Sequence, residues 1–194
     1  MRPTYPLFLF AKAPLPGKVK QRLSPPLAPL ESAQVAQAML EHSAAVVELG
    51  WPGIRVLQSS PDLACPAFAR YKSSDSWQTG IQSQGDLGSR MYAALAEGIE
   101  KHGAAVVLGT DIPSITAPIL QQAYLMLEQG WQVVGPSQDG GFYLLGLTRI
   151  PETIFTGIGW GSAQVYSSLV RNASRCGVQL EPLDTLSDCD HYED

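Results

Sequence analysis

The chain has 194 residues, 45% of them hydrophobic and only 16% charged. That length supports a real core in one domain spanning 1–194, and the charge falls well below the usual level of about 25%, so this is not a disordered acidic or basic chain. The formal charge is −5, yet residues 1–30 carry Arg2, Lys12, Lys18, Lys20 and Arg22 with no acid, while residues 184–194 carry Asp184, Asp188, Asp190, Glu193 and Asp194 with no Lys or Arg; a negative total with so small a basic cluster argues against binding a polyanion over a broad surface.

Tyr5–Phe10 is an apolar run that reads as a buried first strand, followed by a Pro/Gly/Lys loop. Residues 31–49 lack Gly and Pro and stop at Gly50, which predicts a helix closed by a C-terminal glycine. Ile54–Gln58 reads as a second strand, and residues 59–85 carry no clear period. Asp86 has the chemistry of an N-cap for a helix over 87–102 that ends near Gly103. Ala104–Leu108 is a continuous apolar strand. Thr116 opens a helix that runs to Gly130, with Pro118 in its first turn. Trp131–Gly135 and Phe142–Leu147 read as strands, Ser162 as the cap of a helix to about Cys176, and Val178–Leu183 as a last strand.

Apolar strands alternating with helices predict an α/β protein, a three-layer α/β/α sandwich with a mostly parallel central sheet. Ligands bind such sheets beyond the carboxyl ends of the strands, which selects the loops after Phe10, Leu108, Gly135 and Leu183. Three cysteines, Cys65, Cys176 and Cys189, with no CxxC spacing predict no disulfide framework and a reducing compartment. The apolar start of about five residues is too short for a signal peptide or a span. A soluble, cytoplasmic protein is expected.

Five segments could carry chemistry. The first loop, Lys12 to Arg22, places four cations and Gly17 after a strand, where they could neutralise a diphosphate; a solvated basic loop is the alternative. It is not a Walker A loop, because Lys12 and Val19 stand at the outer positions of that pattern. Gly109-Thr110-Asp111 puts a lone acid just past a buried strand, suited to a divalent cation or to a cap. In Gly135 to Phe142, Asp139-Gly140-Gly141 reads as a hairpin turn or as a second carboxylate with room for a sugar or phosphate. Gln84-Gly85-Asp86 with Gly88 reads as a close approach to ligand or as a capped helix. Asp188-Cys189-Asp190-His191 could bind metal, though a frayed, solvated terminus is the simpler reading. Gly157 to Ser162 is not a dinucleotide fingerprint, since its third glycine is misplaced.

Together, Phe10–Leu23, Gln84–Met91, Gly109–Ser114 and Gly135–Gly146 resemble, in order and over nearly the whole chain, a bacterial family of glycosyltransferase-like proteins. This domain of unknown function has the GT-A, nucleotide-diphospho-sugar transferase fold, and some members are associated with radical-SAM proteins or arsenosugar biosynthesis. It is similar to 2-phospholactate guanylyltransferase and more distantly to the molybdenum cofactor guanylyltransferase. The resemblance implies a glycosyltransferase that moves a sugar from a nucleotide-diphospho-sugar to a small-molecule acceptor, with Mg2+ or Mn2+ as cofactor and neither nucleic acid nor membrane as partner. It implies that Ala11, Lys12, Gly17, Lys20 and Arg22 contact the nucleotide, with Gln84, Gly85 and Asp86 near the base. Asp111 matches the metal-holding acid, with Asp190 as a further ligand, and Asp111 and Asp139 are the catalytic pair. Gly140, Gly141, Trp160 and Ser162 border the sugar or acceptor. Gln21, Gly161-Ser162 and His191-Tyr192 depart from the family's Thr, Ser-Thr and Thr-Pro. A nucleotidyltransferase that releases pyrophosphate from an NTP, and a non-catalytic nucleotide-binding module, are the alternatives.

Overall fold

Seven strands form one sheet in the order β3-β2-β1-β4-β6-β5-β7 in a computed structural model that describes residues 4–190 and 192. β1 (Pro6–Lys12) lies between β2 (Ile54–Ser60) and β4 (Ala105–Leu108), parallel to both. β3 (Gln78–Ile81) extends the sheet beyond β2, again in parallel. On the other side, β6 (Phe142–Leu147) runs antiparallel to β4 and to β5 (Gln132–Pro136), and β5 pairs in parallel with β7 (Leu180–Pro182). Six strands therefore point one way, and their carboxyl ends share one edge. β6 begins at that same edge, because a tight connection turns it back from β5.

The strands are apolar on both faces because helices cover both. Leu7 and Leu9 of β1 face α1 (Pro29–Gly50) and α4 (Ala117–Glu128), in a core with Leu40, Val47, Leu120 and Tyr124. Phe8, one residue out of step, faces α3 (Leu87–His102) and α5 (Val165–Arg175), with Leu95 and Leu169. The period-2 alternation of strand side chains thus divides one buried strand between two cores, which is the three-layer sandwich expected. Leu7, Leu9 and Leu57 are fully buried, each contributing about 2 kcal/mol of transfer free energy. No helix among the described residues is long and apolar enough to cross a membrane.

Several expectations shift at element ends. Gly50 does not cap α1 from outside but is its last residue and is buried. A Cβ there would lie 2.7 Å from Ala117 Cα, so its role is to let α1 and α4 approach closely. Residues 59–85 contain a short helix, α2 (Ala69–Lys72), and the edge strand β3. Ser162 does not cap α5, whose N-cap is Gln164; its hydroxyl donates to the Gly159 carbonyl at 2.8 Å and closes the turn before the helix. The helix after Thr116 ends at Glu128, two residues before Gly130. β7 is only three residues long, shorter than the strand expected over Val178–Leu183, although Leu183 N–H still donates to the Val134 carbonyl at 2.8 Å.

Candidate active site

The loop after β1 reaches the sheet edge through one unusual residue. Lys20 has φ 47° and ψ 40°, and it is the one non-glycine residue with positive φ among the described residues. A left-handed conformation costs an ordinary side chain about 1–2 kcal/mol. It serves to fold the Lys20 side chain inward, to 6% exposure, beneath the 3-10 turn Gln21–Leu23 anchored by buried Leu23. The ammonium lies 2.6 Å from Asp111 Oδ1, just past β4, and 2.9 Å from Asp190 Oδ1 in the tail. It also donates to the Cys189 carbonyl at 2.8 Å. Burial alone would lower the Lys20 pKa, but Asp111 and then Asp190 more than offset it and hold the group above the ordinary lysine value. It is therefore a cation across the neutral range.

The tail is pinned rather than frayed as far as Asp190. Leu186 N–H donates to the Pro136 carbonyl at 3.1 Å, and Cys189 N–H donates to the Asp111 carbonyl at 3.0 Å. Tyr143, buried at the floor, donates its hydroxyl to the Asp184 carbonyl at 2.9 Å. These main-chain bonds overturn the solvated-terminus reading for Asp188 and Asp190. Arg2, His191, Glu193 and Asp194 lie outside the described residues.

Two cavities meet at this point. The first, about 470 Å³, is lined by Lys12, Lys18, Lys20, Arg22 and Arg90, opposed by Asp111 and Asp190. The second, about 290 Å³, lies across β4 toward the β5–β6 turn and is bordered by Asp139, Gly141, Trp160, Ser162 and Asp188. Phe10, Leu87, Thr110, Asp111 and Asp190 line both. The Asp111 side chain is 56% exposed, against 6% for Lys20 beside it, and it lines both cavities.

The structure thus brings Lys12, Lys20, Arg22, Asp111 and Asp190 together in one cavity, and Asp139, Gly141, Trp160 and Ser162 in the other. Ala11 is buried in β1 and Gly17 lies in the loop; neither lines either of these two cavities, nor does Gly140. Gln84, Gly85 and Asp86 also stand outside both. Gln82, just after β3, and Arg90, one turn into α3, do line the first cavity, joined by a 3.1 Å bond from Arg90 Nη1 to Gln82 Oε1. Gln82 and Arg90 line the first cavity although sequence reasoning gave them no role, and Lys18 lines it as one of the four loop cations. The strand-end rule would have found Gln82 had β3 been legible.

Asp139 belongs to the hairpin turn and also faces a cavity. It sits in the hairpin between β5 and β6, where its Oδ1 accepts from the Ser137 hydroxyl at 2.6 Å and the Gly141 N–H at 2.8 Å, while it also borders the second cavity. Gly88 is a packing glycine: a Cβ there would come within 2.7 Å of Trp160 Cζ2, so its absence lets the indole lie against α3.

Asp86 is the N-cap of α3, accepting from the Ser89 N–H at 2.8 Å and the Ser89 hydroxyl at 2.7 Å. The Ser89 N–H first, then its hydroxyl, hold the Asp86 carboxyl below its ordinary 3.8. A carboxyl with a lowered folded pKa stabilises fully above its unfolded pKa and loses that contribution as pH falls through the folded one. The melting temperatures of wild type and Asp86→Ala should therefore differ at pH 7 and converge as the buffer is taken well below pH 3.8; a gap constant with pH would contradict the cap.

Comparison with known proteins agrees with the fold. The chain matches residues 44–162 of its length to a family model described as "Uncharacterized protein conserved in bacteria (DUF2064)". No curated protein matches the sequence. A crystal structure of a "putative nucleotide-diphospho-sugar transferase" from Desulfovibrio desulfuricans G20 is 26% identical and superimposes with a TM-score of 0.88, over 98% of this chain and 84% of that one. Rv0371c from Mycobacterium tuberculosis H37Rv, solved in complex with manganese, is 16% identical with a TM-score of 0.53, covering 97% and 92% of the two chains. A nucleotidyl transferase from Methanothermobacter is 12% identical with a TM-score of 0.57, covering 98% and 94%. The fold is that of the GT-A-type nucleotide-diphospho-sugar transferases.

Proposed function

We propose that this chain, which belongs to the bacterial DUF2064 family, is a transferase that moves a glycosyl group from a nucleotide-diphospho-sugar to a small-molecule acceptor with a divalent cation. The observation that carries the reading is the pair of cavities divided by Asp111 and Asp190, one basic and one bordered by Asp139 and Trp160. A donor laid across that divide would put its diphosphate among the cations and its sugar toward the β5–β6 turn. Lys12, Lys18 and Arg22 would then balance the negative charge that grows on the leaving diphosphate as the glycosidic bond breaks. Gln82 and Arg90, which also line the basic cavity, would meet the base.

The residues present suit a cation. Two hard carboxylate oxygens, from Asp111 and Asp190, already converge on one positive charge, the Lys20 ammonium. Among the described residues no group of three or more acids, histidines or cysteines could hold a metal, so Asp111 and Asp190 would leave several positions to phosphate oxygens and water, as Mg2+ sites usually do. A bound Mg2+ or Mn2+ supplies Lewis-acid stabilisation of the diphosphate. Across the divide, Asp139, which lines the second cavity along with Asp188, would take the acceptor's proton as its oxygen attacks the sugar.

Nucleotidyl transfer is the second reading. The surplus of cations in the first cavity suits a triphosphate as well as a diphosphate, and pyrophosphate would then be the leaving group. A thermal-shift panel of NTPs, NDPs and NDP-sugars with and without Mn2+ tests both. A ligand at 100 times its Kd stabilises by about 2.7 kcal/mol, which in a chain of this size raises the melting temperature by roughly 5–10 °C. Release of a nucleoside diphosphate from an NDP-sugar supports glycosyl transfer, and release of pyrophosphate from an NTP supports the second reading. No nucleotide-dependent shift under any condition would overturn both.

A further inference from the structure

We propose that Lys20 is an internal stand-in for the divalent cation: its ammonium occupies the position between Asp111 and Asp190, and the metal binds only by displacing it into the phosphate cavity. The inference rests on the metal reading above and adds an order to it. Nothing in the sequence pointed to it, since a lysine in that loop reads simply as a phosphate ligand.

Three observations carry it. First, an ammonium has three N–H donors and no acceptor, and here three oxygens take them: Asp111 Oδ1 at 2.6 Å, Asp190 Oδ1 at 2.9 Å and the Cys189 carbonyl at 2.8 Å. The site is saturated as a cation site. A divalent ion bonded to the same two carboxylate oxygens, at about 2.0–2.2 Å, would have to share their centre with the ammonium, and two cations at that separation repel strongly. Second, the position is built rather than incidental. The Lys20 backbone is held left-handed, and its side chain is 6% exposed. A lysine that merely met two surface acids would not need either. Third, Lys20 has somewhere to go. It lines the basic cavity, and its flexible four-carbon stem can turn the ammonium toward a diphosphate placed there, whose oxygens replace the three it leaves.

Metal and nucleotide then help each other bind. Phosphate oxygens draw Lys20 off the carboxylates, and the vacated carboxylates take the cation. Without nucleotide, the lysine keeps the pair neutralised and metal binding weak. By the reciprocity of linked equilibria, the metal must raise nucleotide affinity by the same factor.

The test is Mn2+ binding to the full chain, read from the free-ion electron paramagnetic resonance signal and independent of turnover. With Mn2+ alone, Lys20→Met should bind at least about tenfold more tightly than wild type, because the ammonium between the carboxylates is gone while both carboxylates remain, with only the exposed Arg22 still on the other oxygen of Asp190, at 3.5 Å. Lys20→Met/Asp190→Asn should lose that gain. Lys20→Gln, which keeps a polar group of similar length, should behave as Lys20→Met does and guards against a local packing effect. Mn2+ should also raise the melting temperature of Lys20→Met more than that of wild type. If both Lys20 variants bind Mn2+ no better than wild type while wild type binds it well, the displacement is overturned and the metal reading survives. If wild type binds no Mn2+ even with nucleotides present, and the variants bind none, the metal reading falls and the displacement falls with it.

Discussion

Asp111→Asn should lower the rate of transfer by roughly three orders of magnitude while leaving the melting temperature within a few degrees of wild type. The two parts of that result come from different surroundings of one carboxylate. Asp111 is half exposed, at the divide between the two cavities, where it would hold the cation on the leaving diphosphate. Loss of charge stabilisation at a metal site amounts to several kcal/mol of barrier, and each 1.36 kcal/mol is about tenfold in rate. The fold loses less. Lys20 keeps Asp190 and the Cys189 carbonyl as partners, and a half-exposed ion pair contributes about 0–1 kcal/mol once solvent screening is counted. In a chain of this size that is a shift of about 2–4 °C. Steady-state rates with the donor found by thermal shift, alongside a melting curve, measure both. Near-wild-type activity would remove Asp111 from the reaction, and a collapse of stability with activity would make it a structural residue instead.

Gly140→Ala should be the most damaging small substitution near the site, costing about 3 kcal/mol or more of stability. Gly140 has φ 87°, where a side chain costs about 1–2 kcal/mol, and an added Cβ would fall 2.1 Å from the Ala163 carbonyl oxygen and 2.8 Å from Ala163 Cα. Both are backbone atoms, so no side chain can swing away. The turn cannot simply retreat, because the Gly140 carbonyl accepts from the Tyr166 N–H at 2.8 Å and satisfies one of the orphan donors at the start of α5. Movement there also shifts Asp139, next in the chain. Gly157→Ala is the internal control. Gly157 has φ 69° but nothing within 4 Å of the added carbon, so it should show only the conformational penalty of about 1–2 kcal/mol. Urea unfolding of the two variants separates clash from strain, and equal losses would contradict the steric account.

The contrast between those two glycines shows where sequence reasoning stops. Both read as loop glycines, and only the approach of Ala163 distinguishes them. The same holds for Gly50, which reads as a helix stop, and Gly88, which reads as a close approach to ligand or part of a capped helix start; in the fold they make space for Ala117 and Trp160. The edge strand β3 was illegible because Gln78–Ile81 is four residues long with only a half-buried pattern, too short for a period to rise above chance. With it went Gln82, just past its end. The cap at Asp86 was legible because it is local: an acid, three residues, a backbone N–H.

The chain by itself determined the α/β alternation, the apolar strands and the acid and base groups gathered near strand ends, because burial and periodicity are written in consecutive residues. What only the tertiary structure decided was which of those groups meet. The acidic tail reads as a solvated end until Leu186 pairs with Pro136 and Cys189 with Asp111. Lys20 reads as a phosphate ligand until its left-handed backbone turns it onto Asp111 and onto Asp190, 170 positions away. Contacts of that span leave no local pattern, since they are selected by the free energy of the whole packed sheet edge and not by any neighbour in the chain.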